Sequence, residues 1–257
     1  MDQNDAGIFG ERIKGQFAAR AEDFEISANW VCDARLIRAH VEAAGPPGGE
    51  ALDLCCGTGQ VGRALKAAGW AVKGLDLCGE MAAVSSRYFP VSTGAAEAMP
   101  FASGNFQLVV CRQSFQFLNV PKVLAEIARV LVPGGTFILS LTVPFCGEDA
   151  GWLSKIHHVK QPLLLEFYTA QELVEVLNRA GFSVVATQEF RVRESVTQWM
   201  RCAPELNAGV RAQVVDLVKN APAVYKSWHD VQVTDGEVLE DWNWVVLKTV
   251  FHPQDKG

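Results

Sequence analysis

The seven cysteines of this 257-residue chain include no C-x-x-C pair. They stand at positions 32, 55, 56, 78, 111, 146 and 202, scattered and odd in number. That distribution argues against a disulfide framework and against a thiolate metal site, so no metal is expected. The cysteines read instead as small buried hydrophobes of a reducing compartment. Lys and Arg form no run, and the net charge is −6, so nucleic acid is not an expected partner. No apolar run reaches 18 residues, and the opening stretch MDQNDAGIFGERIKGQ has no apolar core of a signal peptide. Neither a membrane span nor secretion is therefore expected, and a cytoplasmic location is the default. What the chain does have is 49% hydrophobic residues, enough to bury the core of one large α/β domain.

From residue 50 onward, short apolar runs alternate with helical patterns. Residues 51–54, 70–75, 107–111 and 136–141 read as strands, with 91–93 a weaker one. Residues 60–68, 80–87 and 120–132 read as helices; in the last, Val123, Leu124, Ile127, Val130 and Leu131 recur at spacings of three and four. Pro133-Gly134-Gly135 ends it. This rhythm predicts βαβ units and a Rossmann-like, seven-stranded, mostly parallel sheet. A helix over 168–180 and strands over 182–190 and 242–251 then follow without a simple crossover, which implies an antiparallel edge strand. The expected plan is one domain over 1–257. It comprises an N-terminal helical lid (1–44), an α/β core (48–190), a late helical lid insertion (191–241) and a last strand (242–253).

The loop after the first strand reads Gly57-Thr58-Gly59-Gln60-Val61-Gly62, literally the G-x-G-x-x-G of dinucleotide sites. Such a loop brings a helix N-terminus to a pyrophosphate, and a nearby unpaired carboxylate opposes that. Asp53 lies four residues before Gly57. A carboxylate there suits a cationic ligand, and S-adenosylmethionine carries an ammonium and a sulfonium and no phosphate. Asp76, 19 residues after Gly57, ends the next strand, where it can accept from ribose hydroxyls. That feature is shared with nicotinamide sites and does not discriminate; Asp53 does.

The strings ALDLCCGTG, VKGLDLCGEM, GAAEAMPF, NFQLVVCRQSFQFL and VLAEIARVLVPGGTFIL occur in this order. Together they resemble the class I S-adenosylmethionine-dependent methyltransferases, most of all the branch with ubiquinone/menaquinone-type and other small-molecule enzymes. The resemblance spans residues 48–143, with weaker echoes in 13–44 and in YTAQELVEVLNRAGFSVV. It implies S-adenosylmethionine as cofactor, S-adenosylhomocysteine as product, and a role for each matching position. Asp53 would hold the methionine ammonium. Cys55, Gly57 and Gly59 would let the backbone pass under the cofactor. Asp76 would bind ribose, with Leu77 and Met81 against the adenosine. Ala96 would meet the adenine edge by its backbone, with Glu97 as an alternative adenine ligand or a turn cap. Arg112 and Gln113 would close over the methionine end. The chain departs from the family at Cys55, where a glycine is usual, at Ala95, often Asp, and at Gln107, a common Asp.

The acceptor side is less explicit. Residues 111–115 lack the [Asn/Asp]-Pro-Pro-[Tyr/Phe] motif of enzymes that methylate nucleobase or glutamine nitrogens. Phe17, Phe24 and Trp30 in the lead-in, Trp152 after the fifth strand, and Trp199 and Trp228 in the late insertion form a set of aromatic candidates for a planar acceptor. Anchoring of lid helices to the core accounts for them equally well. His157, His158 and His229 are the candidate general bases, because histidine titrates near neutrality; of the adjacent pair 157–158, at most one faces a site. The resulting expectation is methyl transfer to a small, aromatic or conjugated organic acceptor. The alternatives are an NAD(P)-dependent oxidoreductase, and an S-adenosylmethionine-binding protein or enzyme without methyl transfer.

Overall fold

The computed structural model describes residues 3–253. Along the chain it runs α1 (Gln3–Ala18), α2 (Asn29–Cys32), α3 (Ala34–Ala44), β1 (Glu50–Leu54), α4 (Gln60–Ala67), β2 (Ala71–Asp76), α5 (Gly79–Ser85), β3 (Val91–Thr93), β4 (Phe106–Arg112) and α6 (Val120–Val130). Then follow β5 (Leu131–Val143), α7 (Gly147–Lys160), α8 (Ala170–Arg179), β6 (Phe182–Ser195), α9 (Val196–Arg201), α10 (Ala208–Lys219), α11 (Ala223–Trp228), β7 (Gln232–Thr234) and β8 (Glu237–Phe251). The sheet order is β3-β2-β1-β4-β5-β8-β6. The first five strands are parallel; β8 runs antiparallel between β5 and β6. The short β7 hairpins onto β8. No helix among the described residues is long and apolar enough to cross a membrane.

Parallel strands covered on both faces need apolar residues at nearly every position, and β1 and β4 are buried almost end to end. Their side chains alternate between two cores. Ala51, Leu108, Val110 and Ile138 face one core; Leu52, Leu54, Val109, Cys111 and Leu139 face the other. The second core is closed by α6 and α8, both well capped. Asn119 accepts from Lys122 N–H at the start of α6, and Thr169 and Glu172 form a capping box on α8. Gln107 does structural work, its side-chain oxygen accepting from Glu50 N–H at 2.7 Å.

The other face carries α3 and α4, and beyond them the helices that the sequence assigns to lids. The boundaries differ from that reading. Helix α3 is an integral cover of the sheet, with Leu36 and Ala39 in the core, and 191–195 continue strand β6. β8 starts at Glu237, five residues before the expected strand, and its first residues reach past the end of β5. On that overhang and on α7 sit α9, α10 and α11, burying Val196, Trp199, Val214, Val218 and Tyr225. Residues 147–160, read as a loop from sequence, form a 14-residue helix whose first turn is capped by Asp149 accepting from Phe145 and Cys146 N–H.

Candidate functional site

The parallel strands end at one edge of the sheet, where loops must turn into helices. At β1 the turn is tight: Cys55, Gly57 and Gly59 have φ of 55°, 51° and 86°. Cys55 thus occupies a left-handed conformation that glycine adopts freely and a side chain adopts at a cost of about 1 kcal/mol or more. Cys55 is therefore a departure from the family's glycine that carries backbone strain. Cys56 N–H donates to Leu75 O, and Gly57 N–H to Asp76 Oδ2 at 2.7 Å, so the loop is tied to the end of β2. Asp76 Oδ1 accepts in turn from Cys78 N–H. Burial raises the Asp76 carboxyl above its ordinary range, against the pull of these amides.

The glycines of the fingerprint have separate tasks. A Cβ on Gly57 would meet only Phe24, 3.9 Å away, so this position stays open. On Gly59 it would press on Ser85 and Phe89, and on Gly62 it would lie 2.4 Å from Phe89 and 2.8 Å from Asp53 Oδ2. Gly59 and Gly62 therefore let α4 close on the strand side, and Gly62 N–H donates to Asp53 Oδ2 at 2.8 Å. Asp53 is 3% exposed. Burial pushes its carboxyl up to about 7, with Gly62 N–H and Arg112 opposing and Asp76 adding to the shift. Arg112, at the end of β4, is pulled down to about 10 by burial, with Asp53 opposing. It lies over the Trp30 ring and donates to the carbonyls of Trp30 and Val31, which fastens α2 to the sheet edge.

These groups surround a cavity of about 700 Å³. Of the positions expected to meet the cofactor, Asp53, Cys55, Gly57, Asp76, Leu77, Met81, Glu97, Arg112 and Gln113 line it. Gly59 and Ala96 do not: Gly59 packs on Phe89, and Ala96 is buried in the core, so Ala95 takes its place in the wall. Glu97 lines the cavity and also accepts from Asn119 N–H, so it is a turn cap in the wall. Gln113, at φ 53°, accepts from Thr142 N–H. Sequence reading passed over Ile13 and Phe117, whose apolar contact lays α1 across the mouth. An i, i+4 pair, Ile13 and Phe17 on the amphipathic lead-in, was the available signal.

A second, smaller chamber of about 70 Å³ adjoins the first. Phe17, Phe24, Trp30, Gln113 and Phe117 line both. Of the aromatic candidates, Phe17, Phe24, Trp30 and Trp199 therefore stand at these walls, while Trp152 and Trp228 do not. The indole N–H of Trp152 donates to Leu217 O, and Trp228 is 41% exposed and stacks on Phe145, so both are anchors of the late helices.

The three histidines separate likewise. His157 lines the smaller chamber, ringed by Phe167, Trp199 and Trp242. Burial, with Lys160 nearby, takes its pKa down to about 3, so it stays neutral and is a weak base. His158 is exposed and bonded to its own helix at Ser154. His229 is fully buried with both ring nitrogens engaged, by Asp149 Oδ2 at 2.9 Å and Asp241 O at 2.8 Å, and neither cavity touches it. His158 and His229 thus face neither cavity, and both ring nitrogens of His229 are already engaged.

A sheet of this order, with a glycine loop and two carboxylates at its C-terminal edge, is the doubly wound α/β arrangement whose ligands bind at the strand ends. A family model described as a methyltransferase domain matches residues 52–139. An uncharacterized methyltransferase of Synechocystis is 34% identical, over 54% of this chain and 69% of that protein. A demethylmenaquinone methyltransferase of Bacillus velezensis is 30% identical, over 56% of this chain and 75% of its own. Alignments with further demethylmenaquinone and 2-phytyl-1,4-naphtoquinone methyltransferases cover only 42–44% of those proteins. Among solved structures, a Bacillus halodurans protein superposes with a TM-score of 0.76 at 21% identity, over 84% of this chain and 99% of that one. The chain belongs to the class I S-adenosylmethionine-dependent methyltransferases.

Proposed function

We propose that the larger cavity holds S-adenosylmethionine and that its methyl group passes to a small, flat, conjugated acceptor lodged between the cofactor and the aromatic wall. The observation that carries this reading is that Asp53, Arg112 and Asp76 line one cavity at the C-terminal ends of β1, β4 and β2. The methionyl end of the cofactor has an ammonium and a carboxylate, which Asp53 and Arg112 match in sign. Asp76 keeps one carboxylate edge bonded to loop amides and has lone pairs left for ribose hydroxyls. When bound, the cofactor supplies an electrophilic methyl on a sulfonium, and sulfur keeps the bonding pair on transfer. What the chain supplies is alignment and dryness. Phe17, Phe24, Trp30 and Phe117 form an apolar wall shared by both cavities, which suits a planar ring and a sulfonium alike.

The test is calorimetric titration with S-adenosylhomocysteine, comparing wild type with Asp53→Asn, together with transfer of a labelled methyl group from S-adenosylmethionine to a panel of aromatic acceptors. Micromolar binding weakened by the substitution is expected, with no heat from NADH. Absence of binding at millimolar concentration, or tighter binding of NADH, would overturn the reading.

A further inference from the structure

The smaller chamber contains polar groups that the fold leaves without partners. Lys160 is 1% exposed, and its Nζ donates no hydrogen bond among the described residues. The carboxylate oxygen within reach is Glu205 Oε1 at 4.0 Å, and that oxygen already accepts from Arg20 Nε and from a second guanidinium nitrogen of Arg20. Lys160 Nζ instead lies 5.1 Å from the centre of the Trp199 ring. His157 Nε2 and Gln116 Oε1 are buried without partners too. Gln116 Nε2 donates to Gln113 O, which sets the amide so that its oxygen is the open atom. Lys160, His157 and Gln116 all line the same chamber.

A cluster of this kind is costly in an empty fold, because each unmatched buried polar group costs about 1–3 kcal/mol and a charge more. Two basic side chains, Arg20 and Lys160, face one carboxylate, Glu205, which is already engaged by Arg20; His157, one turn back on α7, is neutral. Burial drives Lys160 well below its ordinary range, with Arg20 adding to the shift and Glu205 opposing it. The chamber is also too small for a whole ligand: its 70 Å³ is less than the roughly 150 Å³ that admits benzene. It admits one edge of a molecule whose body lies in the larger cavity, across the wall formed by Phe17, Phe24, Trp30, Gln113 and Phe117.

We propose that the acceptor presents an acidic ring hydroxyl to this chamber, and that Lys160 takes up its proton and holds the resulting oxyanion. The inference rests on the methyltransferase reading above and names its acceptor class. In the step, the acceptor O–H bond breaks with its electron pair left on oxygen, and a new N–H bond forms at Lys160 Nζ. The products are an ammonium and an aryl oxyanion in contact, and the ring gains the electron density that a methyl acceptor needs. A hydroxyl suits the chamber, because it has a proton that Gln116 Oε1 can accept in a hydrogen bond on entry and that Lys160 can then take up, whereas a carboxylate has neither. Gln116 and His157 Nε2 position the edge of the ring; Lys160 selects its charge.

The probe is 4-nitrophenol, whose absorption moves to longer wavelength on ionisation, added to the protein saturated with S-adenosylhomocysteine. Wild type is expected to bind it at least tenfold more tightly than 4-nitroanisole, which has the same ring and no proton to give. The bound phenol is expected to show the ionised band at a pH where free 4-nitrophenol is protonated. Lys160→Met keeps the Arg20–Glu205 pair and replaces a buried amine with an apolar side chain of similar length, so it should fold and bind S-adenosylhomocysteine within twofold of wild type. It should lose the ionised band and at least tenfold in 4-nitrophenol affinity. Equal binding of phenol and anisole by wild type, no binding of either, or an ionised band that survives Lys160→Met would each overturn the inference, and the first two need no variant. Failure of wild type to bind S-adenosylhomocysteine in the preceding titration would instead overturn the methyltransferase reading itself.

Discussion

The two halves of the site are built in different ways. The cofactor wall comes mainly from four neighbouring strand ends, the loops after β1, β2 and β3 and the end of β4, with α1 beside them. Its key groups are held by backbone amides a few residues away or one strand across, as Asp76 is by Gly57 and Cys78. The acceptor wall gathers Phe17 and Arg20 from the N-terminal segment, Gln116 from the loop after β4, His157 and Lys160 from α7, Trp199 from α9 and Trp242 from β8. Nothing local fixes those side chains relative to one another. A wall of the first kind tolerates loss of distant contacts, whereas one of the second kind depends on the packing of the whole face.

That contrast predicts opposite responses to mutation. Trp199→Ala, in the acceptor wall, is expected to destabilise the fold by about 3–5 kcal/mol in urea denaturation, while calorimetry on the folded fraction finds S-adenosylhomocysteine affinity within twofold of wild type. A parallel loss of cofactor affinity would break the comparison. Glu194 is fully buried and accepts from the N–H groups of Asn29 and Trp30, a long-range peg that holds α2 to β6 beside the bond from Asn29 Nδ2 to Arg193 O. Glu194→Ala strands both donors and should cost about 2–3 kcal/mol by the same measurement. Asp76→Ala is expected to weaken S-adenosylhomocysteine about 10- to 100-fold, or about 1–3 kcal/mol, the reverse pattern to Trp199.

Asp53 sharpens the comparison through pH. Its carboxyl titrates at about 7, so it is neutral below that value and ionised above it. Only the ionised form attracts an ammonium, so cofactor affinity should fall as pH drops from 8 to 6, by roughly three- to tenfold. Asp53→Asn should flatten the profile; an unchanged slope would remove Asp53 from the ammonium site. The smallest effect belongs to Cys55. Cys55→Gly relieves the left-handed strain but loses a packed side chain and gains unfolded-state freedom. Its midpoint of unfolding should shift by less than about 1 kcal/mol in equivalent stability.

Much of the cofactor half was legible before any coordinates. Strand alternation set the parallel sheet, and Asp53 with Asp76 marked its edge, because the end of a strand is a local property; Pro133-Gly134-Gly135, read as the stop between helix and strand, lies instead inside β5, and α6 ends at Val130. The exceptions are instructive. Gly59 and Gly62 match a nucleotide motif, yet the pressure on them comes from Phe89, some 30 residues away in the chain. Helix α7 escaped notice because its apolar residues follow no single stripe: it is packed from several sides by α10, α11 and the β8 overhang.

The sequence by itself determined the class of fold, the cofactor edge and the residue types available for an aromatic acceptor wall, since each follows from periodicity, turn chemistry or charge at short range. Only the tertiary structure decided which candidates face a cavity. It sent His229 into a closed bond with Asp149, turned His158 to solvent, and left Lys160, which no local pattern distinguishes, buried without a hydrogen-bond partner at the chamber wall. The physical reason is that burial and partnership are properties of the packed whole: a lysine on a helix is unremarked in sequence until five other segments remove its water.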